Sequence, residues 1–147
     1  MTDDPIRFSS KHKEFAWLSN FHAAPIELDG CSWPTVEHYY QAAKFADGPV
    51  RERIRSARTP QTAKALGASR KVPIRQNWGA DRASVMERAL RAKFAQHPDL
   101  AARLVRTGAR PLIEANPRDA FWGEGPDGRG ENRLGLLLMR LREERLG

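Results

Sequence analysis

One short segment carries a row of side chains that could do chemistry together. In Thr35-Val36-Glu37-His38-Tyr39-Tyr40-Gln41-Ala42-Ala43-Lys44-Phe45, the residues Glu37, Tyr40, Gln41 and Lys44 recur at i, i+3, i+4 and i+7. That spacing places them on one face of a helix. Glu37 and Lys44 are then about 10 Å apart along the axis, a gap that a lysine stem largely covers. Facing a cleft, the row offers a carboxylate for proton transfer, an amide to orient a ligand and a primary amine. Facing water, it is a solvated surface with a loose ion pair. Tyr39, Tyr40 and Phe45 make the helix aromatic nearly all round, and a helix apolar on most sides is buried. A lysine on a buried helix must be paired or have a lowered pKa. A lowered pKa is what an amine nucleophile needs.

Two further segments bear on a ligand. In Glu14-Phe15-Ala16-Trp17-Leu18-Ser19-Asn20-Phe21, Ser19 and Asn20 sit among aromatics. They suggest a turn whose polar groups face a ligand while its rings face the core; a hydrophobic anchor with an Asn turn reads equally well. Residues 116–133 are rich in Gly, Pro, Asn and Asp, and so long a loop in a compact domain is usually functional. Its glycines let backbone amides approach a ligand, Trp122 could stack on a base, and Asn132 is placed to cap the last helix, whose N-terminus would attract an anion. An ordinary Gly-rich connection with an Asn cap fits the same residues. The loop is neither a Walker loop nor a dinucleotide fingerprint. His12, His22, His38 and His97 lack metal-ligand spacing, so no metal is expected. The single cysteine, Cys31, excludes an internal disulfide and reads as structural.

The elements that must position these groups follow from caps, breakers and periodicity. Residues 6–33 read as extended and turn structure, with Asp29-Gly30 between Pro25–Leu28 and Cys31–Trp33 as a hairpin signal. Thr35 caps a helix from Val36 to Phe45 that ends at Gly48-Pro49. A basic helix spans Val50 to Ala57, and another begins at Thr59-Pro60 and is closed by Gly67. A basic loop covers 68–78. The longest helical pattern runs from Asp81 to Gln96, with Ala83, Met86, Leu90 and Phe94 on one face. A short helix from Asp99 to Arg106 stops at Gly108, and Pro111–Glu114 could be a strand. A last helix, Arg133 to Arg145, buries Leu136, Leu137, Met139 and Leu141 by pattern. The expected fold class is α+β: a mainly helical single domain, residues 1–147, with a small β-sheet or hairpin.

Composition agrees with that class. Of 147 residues, 40% are apolar and 29% charged, which is a globular balance. No apolar run approaches the length of a membrane span, and the start of the chain lacks the basic-then-apolar order of a secretory signal. A cytoplasmic protein without a membrane partner is expected. The net charge of +7, mostly arginine, favours phosphate-bearing partners or simply solubility. Arg51, Arg53, Arg55, Arg58, Arg70, Lys71 and Arg75 form a basic stretch, of which some could hold phosphates.

Taken in order, these segments resemble the NADAR family, whose name refers to NAD and ADP-ribose. The resemblance rests on Glu14-Phe15 with Trp17–Phe21; Gly30 with Trp33–Ala42 and Lys44-Phe45; Lys93-Phe94; and Asp119 with Trp122-Gly123, Gly125, Gly130, Asn132, Leu134-Gly135 and Leu138-Met139. It runs from about residue 6 to 145; Ala16 and Ala43 stand where relatives carry Gly and Met. It implies an N-glycosidase without a cofactor. Some relatives are similar to hydrolases that remove ADP-ribose from guanine bases of nucleic acid, opposing an ADP-ribosylating toxin. Others resemble enzymes that cleave phosphoribosylated riboflavin-biosynthesis intermediates and release ribose 5-phosphate. The first is the leading expectation and the second its alternative. A non-catalytic ADP-ribose-binding module and a basic nucleic-acid module are the readings from other classes.

In either substrate a ribosyl C1 is joined to an amino nitrogen. That nitrogen can open the sugar to an imine, with which a neutral lysine exchanges. The expected catalytic residues are Lys44 as nucleophile, Glu37 as proton carrier and Asp119 as a second carboxylate or ribose-positioning group. Ser19, Asn20, Phe21, Trp33, Tyr40, Gln41, Trp122, Gly123 and Asn132 are the expected substrate-binding residues. Gln41 and Asn20 would hold sugar or base edges, Phe21, Trp33 and Trp122 would wall the base, and the Gly123–Asn132 amides would take phosphate. The competing chemistry is direct hydrolysis through an oxocarbenium-like state, using Glu37 and Asp119.

Overall fold

The computed structural model describes residues 2–146, and of Leu146 the backbone alone. The chain groups into two compact units. One gathers the residues up to Ser19 with those from His97 onward; the other holds Asn20–Gln96.

The second unit carries the Glu37–Lys44 row. It opens with strands β1 (Ile26–Leu28) and β2 (Cys31–Trp33), paired antiparallel with Leu28 opposite Cys31. Asp29 and Gly30 both take positive φ, 55° and 77°, as the two central residues of a tight hairpin turn require. Helix α1 (Val36–Ala43) follows, capped by the Thr35 side chain, which accepts from His38 N. Every residue of α1 is buried. It packs against α2 (Gly48–Arg55), α3 (Pro60–Gly67) and α4 (Trp78–Gln96). Asp47 caps α2 and Thr59 caps α3, each accepting an amide three residues on. Tyr39, Phe45, Ile54, Met86, Leu90 and Phe94 form the core.

In the first unit, β3 (Ile6–Phe8) pairs in parallel with β4 (Leu112–Glu114), in register Ile6 with Leu112. A 3-10 turn (Ala16–Leu18), α5 (Pro98–Arg106) and α6 (Arg133–Leu146) complete it. Buried Arg142 donates to Thr107 Oγ1 at 3.0 Å and to the Arg110 carbonyl at 2.8 Å, tying α6 to the end of α5.

Four expectations are corrected. The long helix begins at Trp78, so Asp81 lies in its first turn, where a carboxylate suits the helix dipole. In α6 the buried face is Leu134, Leu138 and Leu141, spaced i, i+4, i+7; Leu136 is 56% exposed, and Leu137 and Met139 are half-buried. On α4, Met86, Leu90 and Phe94 are buried while Ala83 is only half-buried. Gly67 is the last residue of α3 and does not adopt the left-handed conformation of a helix-closing glycine. It is small for space: a Cβ there would lie 2.0 Å from Gln41 Oε1.

Candidate active site

The site is built on α1. Glu37 and Gln41 are buried, and Gln41 Nε2 donates to Glu37 Oε2 at 2.6 Å. A carboxylate only accepts. The amide nitrogen therefore faces Glu37 and its carbonyl faces Gly67 on α3, the contact that excludes a side chain there.

Lys44 continues the same face at the end of the helix. Its backbone is held by Arg75, whose N–H donates to the Lys44 carbonyl at 2.9 Å and whose Nε donates to the Ala43 carbonyl at 2.7 Å. Arg75 is fixed in turn by Asn77 and Asp81 and lies 5.2 Å from the Trp78 ring. So one member of the basic stretch is spent on capping α1, and Arg55 is engaged by Glu52. The Lys44 side chain is half-buried. Burial pushes its ammonium below the ordinary lysine range; Glu37 pulls it back up and Lys64 pushes it further down. The structure thus brings acid, amide and amine together, with the amine electrically coupled to the acid.

Asn20 joins them at the other end of the helix. Its carbonyl accepts from Glu37 N at 3.1 Å. Its side-chain nitrogen donates to Met86 Sδ at 3.4 Å. Two buried acceptors here, Asn20 Oδ1 and Gln41 Oε1, have no hydrogen-bond partner among the described residues. Buried polar atoms are normally satisfied, and each exception needs a reason. At Gln41 the oxygen is closed in against Gly67; at Asn20 a ligand's hydroxyl or amino donor would supply one. Phe21, next in the chain, is half-buried, with Lys64 Nζ 5.9 Å from its ring centroid.

Other expected site residues are used by the fold. Trp33 is 3% exposed, meets Tyr39 edge-on at 5.2 Å and donates from Nε1 to the Leu28 carbonyl. It is part of the hairpin core. Tyr40 is buried against Trp78 at 5.1 Å. His38 is fully buried and joins the Thr35 hydroxyl to the Ala57 carbonyl.

Ser19, Asp119, Trp122, Gly123 and Asn132 belong to the first unit. Ser19 closes the 3-10 turn through its amide. Asp119 Oδ1 accepts from the amides of Phe121 and Trp122 at 2.9 and 2.8 Å, and Trp122 meets Phe121 edge-on at 4.8 Å. Asn132 has φ of 49°, and its side chain donates to the Leu112 carbonyl and accepts from Glu114 N. It staples β4, where a side-chain cap of α6 was expected. The phosphate cradle expected of the loop amides is also corrected. Gly123, Glu124, Gly125, Gly128, Gly130, Glu131 and Asn132 all donate to carbonyls within this unit. At the start of α6, Arg133 and Leu134 donate to the Phe121 and Trp122 carbonyls. The glycines serve close packing: a Cβ at Gly130 would lie 2.5 Å from the Gly123 carbonyl oxygen.

Two residues are given no site role by the sequence. Lys93 on α4 is 1% exposed, and burial pushes its ammonium down to about 7. Lys64 stands apart from the arginine run and lies three residues before Gly67. Among the described residues, no three His, Cys, Asp or Glu side chains gather as a metal cluster, and no helix is long and apolar enough to cross a membrane.

A model of the NADAR domain matches residues 7–145. The chain belongs to the NADAR family. It is 48% identical over 144 residues to N-glycosidase YbiA of Escherichia coli (strain K12), an alignment covering 98% of this chain and 90% of that one. It is 39% identical over 142 residues to a riboflavin biosynthesis protein of Vibrio vulnificus (strain YJ016), covering 97% of this chain and 39% of that longer one. Its structure is similar to the NMR structure of the E. coli protein YbiA, with a TM-score of 0.89 and 47% identity over 99% of this chain and 87% of that chain. At this similarity the enzyme class carries over: this NADAR protein is an N-glycosidase.

Proposed function

We propose that this NADAR N-glycosidase cleaves a ribosyl-amine bond with Lys44 as the nucleophile and Glu37 as the proton carrier. The observation that carries the reading is the state of Lys44. It is half-buried, depressed below the ordinary lysine range by that burial, and coupled to a buried carboxylate on the same helix. An amine so placed gives up its proton more readily than a free lysine, and the neutral form is the one that adds to carbon.

The route runs in balanced steps. The lone pair of the substrate nitrogen forms the imine as C1–O4 breaks, and O4 takes a proton. The Lys44 amine adds to C1. A proton moves to the departing nitrogen, carried by Glu37, and the C1–N bond breaks to release the amino base. A Lys44–ribose Schiff base remains. Water adds to it, C1–Nζ breaks, and the sugar leaves as the aldehyde with the lysine restored. The unpartnered Asn20 oxygen suits a ribose hydroxyl or base amino group as donor.

The substrate we infer is a small phosphoribosylamino compound of the riboflavin-biosynthesis type. Its support is the naming of relatives, a riboflavin biosynthesis protein among them. This reverses the order expected from sequence. ADP-ribosylated guanine in nucleic acid, the modification an ADP-ribosylating toxin would leave, is the second reading. It is favoured by the exposed cations of α2, α3 and the loop after them, such as Arg53, Arg58 and Arg70.

Parallel incubation with a phosphoribosylamino-pyrimidine and with guanine-ADP-ribosylated DNA, reading released base by mass, tests the reading. Release of the pyrimidine is expected. Release of guanine-bearing DNA alone would reverse the choice, and release from neither would reject the ribosyl-amine reading.

A further inference from the structure

We propose that Lys64 on α3 reads the substrate's phosphate, the anion carried on O5 of the ribose, with Phe21 beside it. This deepens the ribosyl-amine reading above and rests on it.

The close contact of Gly67 with Gln41 shows which face of α3 looks onto the chemical row of α1. Lys64 lies three residues earlier, on that same face. Its ammonium is drawn to Phe21, 5.9 Å from the ring centroid. Phe21 follows Asn20, whose carbonyl holds the Glu37 amide. Lys64 therefore stands over the Glu37 end of the row, and its charge is felt at Lys44.

The ammonium also sits in a stretch with little acid of its own. Between residues 51 and 75 there are eight Lys and Arg and a single acid, Glu52. Glu52 is taken by Arg55. At the starts of α2 and α3 the backbone alternative for an anion is closed, since the Asp47 and Thr59 side chains occupy the caps. A phosphate beside the row would meet a side-chain cation, and Lys64 is the one that the Gly67–Gln41 contact and the Phe21 ring place there.

The test compares kcat/KM for a phosphoribosylamino-pyrimidine, its phosphate-free ribosylamino counterpart and ADP-ribosylated guanine in DNA. Wild type, Lys64→Ala and Lys64→Arg are measured with each. The wild-type preference for phosphate is expected to fall about 10- to 100-fold in Lys64→Ala, the worth of one charge-assisted hydrogen bond. The loss should appear in KM and recover in Lys64→Arg. Whichever phosphorylated substrate the wild type turns over identifies the source of the anion. Removing the Lys64 charge also raises the Lys44 pKa, so the pH limb set by the neutral amine moves up in Lys64→Ala. A Lys64→Ala enzyme that keeps the wild-type preference, or a wild type indifferent to the phosphate, overturns the assignment and leaves the glycosidase reading standing. A wild type that cleaves none of the three overturns that reading, and this one with it.

Discussion

The Gln41 amide nitrogen donates to Glu37 Oε2 across 2.6 Å, one turn along α1, while its carbonyl occupies the space left by the missing side chain of Gly67. One glycine on α3 therefore sets how a buried amide meets a buried acid. Gly67→Ala should lower stability by about 1–3 kcal/mol through overpacking and activity by on the order of 10-fold through misplacement. Adding Gln41→Ala should return much of the stability and none of the activity. Urea midpoints and kcat, measured in a double-mutant cycle, separate the two effects.

The Lys44 amine should react with a pH dependence that follows its neighbours. Burial holds it below the ordinary lysine range, so the rise in its reactivity comes at lower pH than for a free lysine. Glu37 attracts the proton onto it; Glu37→Gln therefore moves the rise to still lower pH. Lys64 repels that proton, and Lys64→Ala moves the rise upward. Labelling of Lys44 by an amine-acylating reagent across a pH series reads this directly, without turnover. Equal profiles in both variants would contradict the coupling.

Stability should also depend on Lys93. Its folded pKa is about 7, against 10.5 when exposed. Between those values the unfolded chain binds more protons than the folded one, so stability rises with pH across that window and levels off above it. Below about 7 both states are protonated and the cost of the buried charge is fully present. Lys93→Met should remove this slope. Urea titrations from pH 6 to 10 would show it as a change on the order of a few kcal/mol.

Asn132 holds β4 by both ends of its amide. Asn132→Asp replaces the donor to Leu112 by an oxygen, setting acceptor against acceptor. A loss of about 2–3 kcal/mol is expected, or roughly 5–10 °C in Tm. A change within 1 °C would mean that the staple carries no weight.

What could be read from sequence was local. The hairpin is legible because Asp29-Gly30 is one of few pairs that tolerate positive φ at both positions. The α1 row is legible because Thr35 marks the start and helical spacing does the rest. The parallel pairing of Ile6–Phe8 with Leu112–Glu114 was not, since no local signal links strands so far apart. The purpose of glycine was misread for a related reason. At Gly67 and Gly130 the demand comes from a neighbouring segment's side chain or carbonyl, and composition cannot distinguish that from a loop open to a ligand. The packing of Trp33 against Tyr39 was not legible because an indole that packs and one that stacks are the same letter. Helical spacing gives Lys93 no chemical role; only burial makes it unusual.

The central claim is that Lys44 becomes covalently joined to the sugar. Turnover of a phosphoribosylamino-pyrimidine in the presence of borohydride, followed by mass analysis of the digested chain, tests it most directly. A reduced ribose phosphate adduct on the peptide containing Lys44, absent from Lys44→Ala, is the predicted result. An enzyme that turns over without any trapped adduct, together with a Lys44→Ala variant that keeps most of its rate, would contradict it.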